Sequence, residues 1–549
     1  MEHSLLHGLQ LCGIVTVIGG PVLMLGMVFP ALRRIGPGPK PALADALAVS
    51  VERWTAYGAL LGALAALLNV LVDVAELDNR TIFGGVDAGT ILRFIHVTTV
   101  GHFSLARLAA LLLALIAVRL RGQWKWWLVL ACSLAAAIFT GMVSHAAASP
   151  DDRLTAIATE LCHIAAAGAW LGVLLHLVLA RNLIESATDA PGAALVAQIV
   201  KRFSPVALAA VSVLMLSGVL AAARLLATAA AVPTSAYGLT LLVKMALLLP
   251  LLFAGFINYR FIRPALNVPQ QQPTGAAQEA RGRLLRRFGK MLELEVTAGV
   301  LVITVAGILA SVSPPGPKGE LRLTAAQRCA LLSPALPTTQ VSNPAAFYGA
   351  RERTLNDLRY AEFMHNWSGV MVCVLGLCWL AQSLGGRAGK SAANIWPVCM
   401  IPFALFVAVG SDPEIWLLRK VSILQAIGDP TLFEHQLGAV LVLILAWLGW
   451  RDRRRPSLDR PLGYALPVML ILGSLMLLGH AHSNLAASQE LTNLINVQHA
   501  IFGTFGLFAG IIRWLNLRGL FPDRIARFAW PSLVVGLGLF MAFFYREVV

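Results

Sequence analysis

Ser204-Pro-Val-Ala-Leu-Ala-Ala-Val-Ser-Val-Leu-Met-Leu-Ser-Gly-Val-Leu-Ala-Ala-Ala223 carries no charge and is bounded by Lys201-Arg202 before it and Arg224 after it. Its length is about the 20 residues that a helix needs to cross a hydrocarbon core. Runs of this kind recur through a chain of 549 residues, 58% hydrophobic and only 13% charged, with a mean hydropathy of +0.73. A soluble protein of this length carries about twice that charge. The composition therefore predicts an all-α fold: a polytopic helical membrane protein whose main surroundings are the lipid bilayer. About fourteen transmembrane helices are expected, at roughly 8–30, 55–76, 98–118, 126–147, 154–180, 204–224, 238–259, 288–312, 362–384, 395–410, 432–450, 463–482, 491–513 and 528–546. The tenth is short and ends at Ser411-Asp-Pro-Glu414.

A net charge of +15 would suggest nucleic-acid affinity in a soluble protein. Here the basic residues gather in alternate loops, so they read as topological anchors and no nucleic-acid partner is expected. Arg33, Arg34 and Lys40 follow the first span, Arg260 to Lys290 the seventh, and Arg451 to Arg460 the eleventh. The intervening loops include acidic stretches such as Ala75-Glu-Leu-Asp78 and Ser149-Pro-Asp-Asp152. The positive-inside rule puts the basic loops in the cytoplasm and both termini in the periplasm.

Residues 313–360, which open with Ser313-Pro-Pro-Gly-Pro-Lys-Gly, divide the spans into an eight-helix domain (1–312) and a six-helix domain (361–549). This divider reads as a periplasmic linker with one short helix at 353–361, too small for a folded domain. Of the seven cysteines only Cys329 clearly faces the outside, so no disulfide framework is indicated.

The histidines divide the same way. From His102 to His145 is 43 residues and on to His163 is 18; from His435 to His480 is 45 and on to His499 is 19. Met142 precedes His145 by three residues and Met476 precedes His480 by four, so each pair shares a helix face. His7 and His365 each stand near the start of the first helix of their half. The two halves thus read as two related helix bundles, a diverged repeat of the kind common in transporters. Intramembrane imidazoles are costly and mark function by default.

Imidazole with thioether is a ligand set for copper, thioether selecting Cu(I) and imidazole suiting either oxidation state. The expected metal ligands are His102, His145, His163 and Met142 in the front set, and His435, His480, His499 and Met476 in the back set. Glu160, one turn before His163, is a candidate to orient that imidazole. Lys244, Glu293 and Glu295 read as anchoring or ion-pairing groups near span ends. His176 and His482 read as capping or packing groups, and Met541 as packing. Met1-Glu-His3 offers the four-nitrogen set that Cu(II) accepts. The rival reading is haem b, ligated by His102 with His163 or by His435 with His499, in an electron-transfer protein. No Gly-x-x-x-x-Gly-Lys-Ser/Thr, Gly-x-Ser-x-Gly or His-Glu-x-x-His string occurs, so neither an ATP-driven pump nor a hydrolase is indicated, and no enzymatic activity is expected.

In the front half, His145 is followed by Glu160-Leu-Cys-His-Ile-Ala-Ala-Ala-Gly-Ala-Trp-Leu-Gly172, then by Phe203-Ser-Pro205 and Ser217-Gly218. Further on come Leu241-Leu-Val-Lys-Met245, Asn258-Tyr-Arg260, Arg286-Arg287, Glu293-Leu-Glu295 and Pro314-Pro315. In this ordered set residues 1–312 resemble the copper resistance protein D (CopD) family of bacterial inner-membrane proteins. The resemblance implies eight helices, copper uptake across the inner membrane, and work with a periplasmic copper-binding protein of the CopC type. The loops here are too short to hold such a domain, so that partner would be a separate chain. Delivery of copper to an oxidase during its assembly is the other role compatible with the same ligands.

Overall fold

A computed structural model describes residues 2–35, 42–77, 80–144, 152–187, 189–226, 228–266, 275–312, 314–315, 321, 323–339, 355–454, 463–480 and 489–548. Among them there are helices and no strand. Among the described residues thirteen helices are long and apolar enough to span a membrane, and of two shorter apolar ones, Ala88–Val97 and Ala465–Gly479, the second stands at the remaining expected span. In chain order they are α1 Glu2–Ile35, α2 Ala42–Leu77, α3 Thr99–Ala117, α4 Lys125–Val143, α5 Arg153–Leu179, α6 Ala190–Leu225, α7 Ala236–Leu266 and α8 Gly275–Ser311. The back part adds α9 Leu355–Leu384, α10 Gly386–Gly410, α11 Pro430–Arg454, the short α12 Ala465–Gly479, α13 Gln489–Leu517 and α14 Asp523–Phe543.

Each expected span has its helix, and two details differ. Of the short helix expected at 353–361, the described residues 355–361 form the first part of α9: nothing between Leu355 and His365 breaks a helix, so the span extends outward through them. The linker instead holds a separate helix, Ala325–Leu332, opened by a capping box between Thr324 and Gln327. The tenth span is not short. Gly385 and Gly386, at φ of 76° and 67°, reverse the chain, and α10 begins at once, taking Arg387 and Lys390 into its first turns.

The front part is built around α1, 72% of whose apolar window is buried. It packs against α2, α4, α5 and α8. Small residues set these approaches. A Cβ on Gly13 would stand 2.6 Å from the Gly62 nitrogen on α2, and one on Gly172 would stand 2.2 Å from the Val15 carbonyl oxygen on α1. Gly172 ends a π-helical turn, Gly168–Gly172, and Asn258–Ile262 forms another in α7. Both coincide with quoted motifs, Gly168-Ala-Trp-Leu-Gly172 and Asn258-Tyr-Arg260. Such single wide turns are frequent at functional positions.

The back part is a closed ring. α9 packs on α10, α10 on α11, α11 on α12, α12 on α13, α13 on α14, and α14 on α9. Three tryptophans, Trp379, Trp396 and Trp530, stack together where α9, α10 and α14 meet. The two parts join along α7–α13 and α8–α12, where Val243, Leu247, Leu301 and Val305 meet Leu478, Ala500, Leu507 and Ile511. One end of this seam carries the hydrogen bonds from Thr81 N to Gly428 O (2.9 Å) and from Thr81 Oγ1 to Ile427 O (2.6 Å). At the basic face, Glu293 accepts from Arg181 of the front part (2.6 Å) and from Arg518 of the back part.

Candidate metal centre

The ring encloses a cavity of about 750 Å³. Four imidazoles from four helices line one end of it: His365 of α9, His435 of α11, His480 at the end of α12 and His499 of α13. In each, Nδ1 meets an acceptor. His365 Nδ1 donates to Ala361 O at 2.8 Å and His499 Nδ1 to Ile495 O at 2.9 Å, each one turn back along its own helix. His435 Nδ1 donates to Asp412 Oδ1 at 2.8 Å, and His480 Nδ1 donates to Glu434. Carbonyls and carboxylates only accept, so these contacts place a proton on each Nδ1 and make Nε2 the nitrogen that a metal would take. Metal-bound histidines are oriented in this same way.

The Nε2 atoms of His365 and His499 lie 3.4 Å apart. At that distance either one ring donates an N–H to the other or a cation lies between the two nitrogens. With imidazole–metal bonds of about 2.0 Å, this separation subtends roughly 115°, between trigonal and tetrahedral values. The His480 ring is 5.2 Å from that of His499 and 6.0 Å from that of His435, centroid to centroid. Tyr545, fully buried, stacks on His365 at 4.1 Å and fixes its plane. Among the described residues no three His, Cys, Asp or Glu side chains gather tightly enough to form a metal-binding group. Met476 and Met364 also line the cavity. Outside the spans, burial holds the Glu414 carboxyl above the usual carboxylate range, and Asp412 beside it adds to the effect.

The front set is arranged otherwise. His102 is exposed on α3, its Nε2 3.1 Å from His96 O. His163 is half-buried on α5, its Nδ1 2.9 Å from Ser217 Oγ. Ser217 donates to Val213 O at 2.6 Å, so it accepts from the imidazole. Met142 lies in the last turn of α4, half-buried. His145, like His482, lies outside the described residues.

Several expected roles change. Ser217, not Glu160, orients His163, and the charge that Glu160 faces is Lys244. Lys244 is not near a span end: it sits eight residues into α7, about 12 Å along it. Glu293 is the ion-pairing group at the basic face, whereas Glu295 is buried and accepts from Asn258 Nδ2 at 3.2 Å. His3 is helical, with its Nε2 3.3 Å from Asp73 and its Nδ1 3.4 Å from Ser311 Oγ, which occupies the ring expected for an N-terminal copper set. His176 packs in the core with its Nε2 3.0 Å from Thr16 O.

Sequence reasoning missed two orienting carboxylates and underrated His365. Glu434 adjoins His435 in sequence, a signal that was available. Asp412 lay in a stretch read only as the end of a span. A buried polar group in the front core was also missed: Arg107 Nε and Nη1 lie 2.9 and 3.1 Å from the Gln10 side-chain amide, which is 2.8 Å from that of Asn69.

Comparison with known proteins bears on the front part. The profile of the copper resistance protein D-like N-terminal domain matches residues 4–153, and that of copper resistance protein D matches residues 197–309. The copper transport protein CutJ of Bacillus subtilis (strain 168) is 31% identical over 188 residues, which make up 34% of this chain and 30% of that protein's length. No solved structure matches the chain. Over residues 4–153 and 197–309 the chain is similar to the copper resistance protein D family.

Proposed function

We propose that this membrane protein takes copper up from the periplasm across a bacterial inner membrane, capturing it through imidazole and thioether ligands at the outer face. The family of the front part and the name of its Bacillus relative support copper as the cargo. The observation that carries the reading is the set of four imidazoles in the back ring, each with Nδ1 held by an acceptor. His435, His480, His499 and Met476 are the proposed back ligands, with His365 added to them. His102, His145, His163 and Met142 are the proposed front ligands. The function is transport rather than catalysis, and both termini are periplasmic in this orientation. A separate CopC-type protein is the proposed donor of copper.

Haem b fits the back cavity less well than copper. Haem carries two propionates, which call for basic partners, and the described lining contains carboxylates but no lysine or arginine. The test is metal and haem content of the purified protein, together with copper accumulation in cells. Copper bound to a protein without a Soret band, and lost from a His365→Ala/His499→Ala variant, is expected. A Soret band that shifts on dithionite reduction would sink the reading. Unchanged cellular copper on deletion of the gene, with loss of an oxidase's copper, would redirect it to delivery.

A further inference from the structure

The back cavity is far larger than a metal ion needs. Along α12, His480 and Met469 both line it and are eleven residues apart, which is about 16 Å of depth. Below the imidazoles the wall is apolar, with Val372, Leu375, Trp379, Phe403, Leu445 and Val534. Two helix glycines, Gly438 of α11 and Gly473 of α12, face into it, and a Cβ on either would meet nothing within 4 Å. Glycine within a helix costs about 0.5–1 kcal/mol relative to alanine. No close packing explains either glycine, and both leave the space open.

The polar end accepts hydrogen bonds and offers few. Each imidazole has committed its Nδ1–H elsewhere, and six carboxylates line the cavity: Asp357, Asp412, Glu414, Asp429, Glu434 and Glu547. No lysine or arginine is present in the described lining. A ligand suited to it is neutral or cationic, donates hydrogen bonds from a compact head, and carries an apolar body. Five of the chain's thirteen methionines also line the cavity: Met364, Met400, Met469, Met476 and Met541. Imidazoles accept Cu(II), but thioethers select Cu(I). A cupric ion captured at the histidines is therefore well held by thioethers only after gaining an electron.

We propose that the back cavity binds a membrane hydroquinone and that this hydroquinone reduces captured Cu(II) to Cu(I). The proposal rests on copper binding at the histidines. The hydroquinone's two hydroxyls donate to the carboxylate acceptors beside the copper-holding imidazoles, while its isoprenoid body fills the apolar slot. One hydroquinone gives up two electrons, one to each of two cupric ions bound in succession, and leaves as quinone. Both O–H bonds break, and the two protons pass to water at the open end of the cavity. The product quinone has carbonyl acceptors in place of hydroxyl donors, so the acceptor-lined site releases it. Cu(I) is then held by thioethers.

The test uses the full-length purified protein with a cupric salt and a short-chain ubiquinol. Cu(I) is read with a chromogenic chelator, quinol by its ultraviolet absorbance, and bound Cu(II) by equilibrium dialysis. Saturable quinol oxidation with two Cu(I) formed per quinol is expected. Gly438→Trp and Gly473→Phe fill the slot and should slow it about tenfold or more. Their retained copper stoichiometry would report a folded ring. Slot-filled variants that oxidise quinol at the parent rate would overturn the proposal. A parent that binds copper yet leaves quinol oxidation at the protein-free rate would also overturn it, with the transport reading left standing. A parent that binds no copper overturns both.

Discussion

The two parts of this molecule place their helices around opposite kinds of centre. The front part has a helix in the middle, α1, gripped through glycines whose Cβ positions would fall within 3 Å of a neighbouring backbone. The back part has a cavity in the middle, edged by Gly438 and Gly473, where an added Cβ would meet nothing within 4 Å. Charge differs in the same sense. The front core holds buried Arg107 and, opposite Glu160, Lys244, whereas the described lining of the back cavity is acidic. Similarity to the family lies in the front part, yet the assembled imidazoles lie in the back. Sequence kinship and ligand geometry therefore point at different parts of one chain, and function has to be argued from the site as well as from the fold.

The contrast can be broken most directly at the His365/His499 pair. Replacing both with alanine should weaken copper binding by more than the 10–100-fold that loss of an orienting partner typically costs. His163→Ala in the front should leave that back-site affinity unchanged; equilibrium dialysis of both variants reads the difference. Equal losses from the two would erase the distinction.

Next in size are the orienting carboxylates. Asp412→Asn or Glu434→Gln keeps the shape but removes the charge that holds an imidazole, and should weaken copper binding about 10–100-fold. Ser217→Ala, the equivalent change in the front, should not affect it. Packing gives the third test. Gly172→Ala forces a methyl against the Val15 carbonyl and should destabilise the protein by about 1–3 kcal/mol, read as a lower midpoint of thermal unfolding in detergent. Gly438→Ala should do the opposite by about 0.5–1 kcal/mol, since its methyl enters open space.

Length and hydropathy made the helices legible, because a bilayer imposes a minimum run of apolar residues. Histidine spacing was legible as depth. Residues 45 and 19 apart on helices that alternate in direction return to one level, and His435, His480 and His499 do. Spacing carries no information about azimuth. It could not say that closure of α9 against α14 brings His365 to His499, or that His102 points outward. Asp412 was hidden for a related reason: a loop carboxylate acquires its partner only once α10 and α11 are packed. Gly385-Gly386 was the signal that would have lengthened the tenth span, and a pair of positive-φ glycines is hard to recognise before the reversal they allow is seen.

The seam between the parts is fastened by different chemistry at its two ends. At one, Thr81 bonds to the backbone of Ile427 and Gly428; at the other, one carboxylate, Glu293, is shared by an arginine from each part. Dissolved ions shield the second tie and hardly touch the first. Raising ionic strength would therefore loosen the joint at its basic face alone, while the apolar seam and the pair of bonds at Thr81 still hold the two parts together.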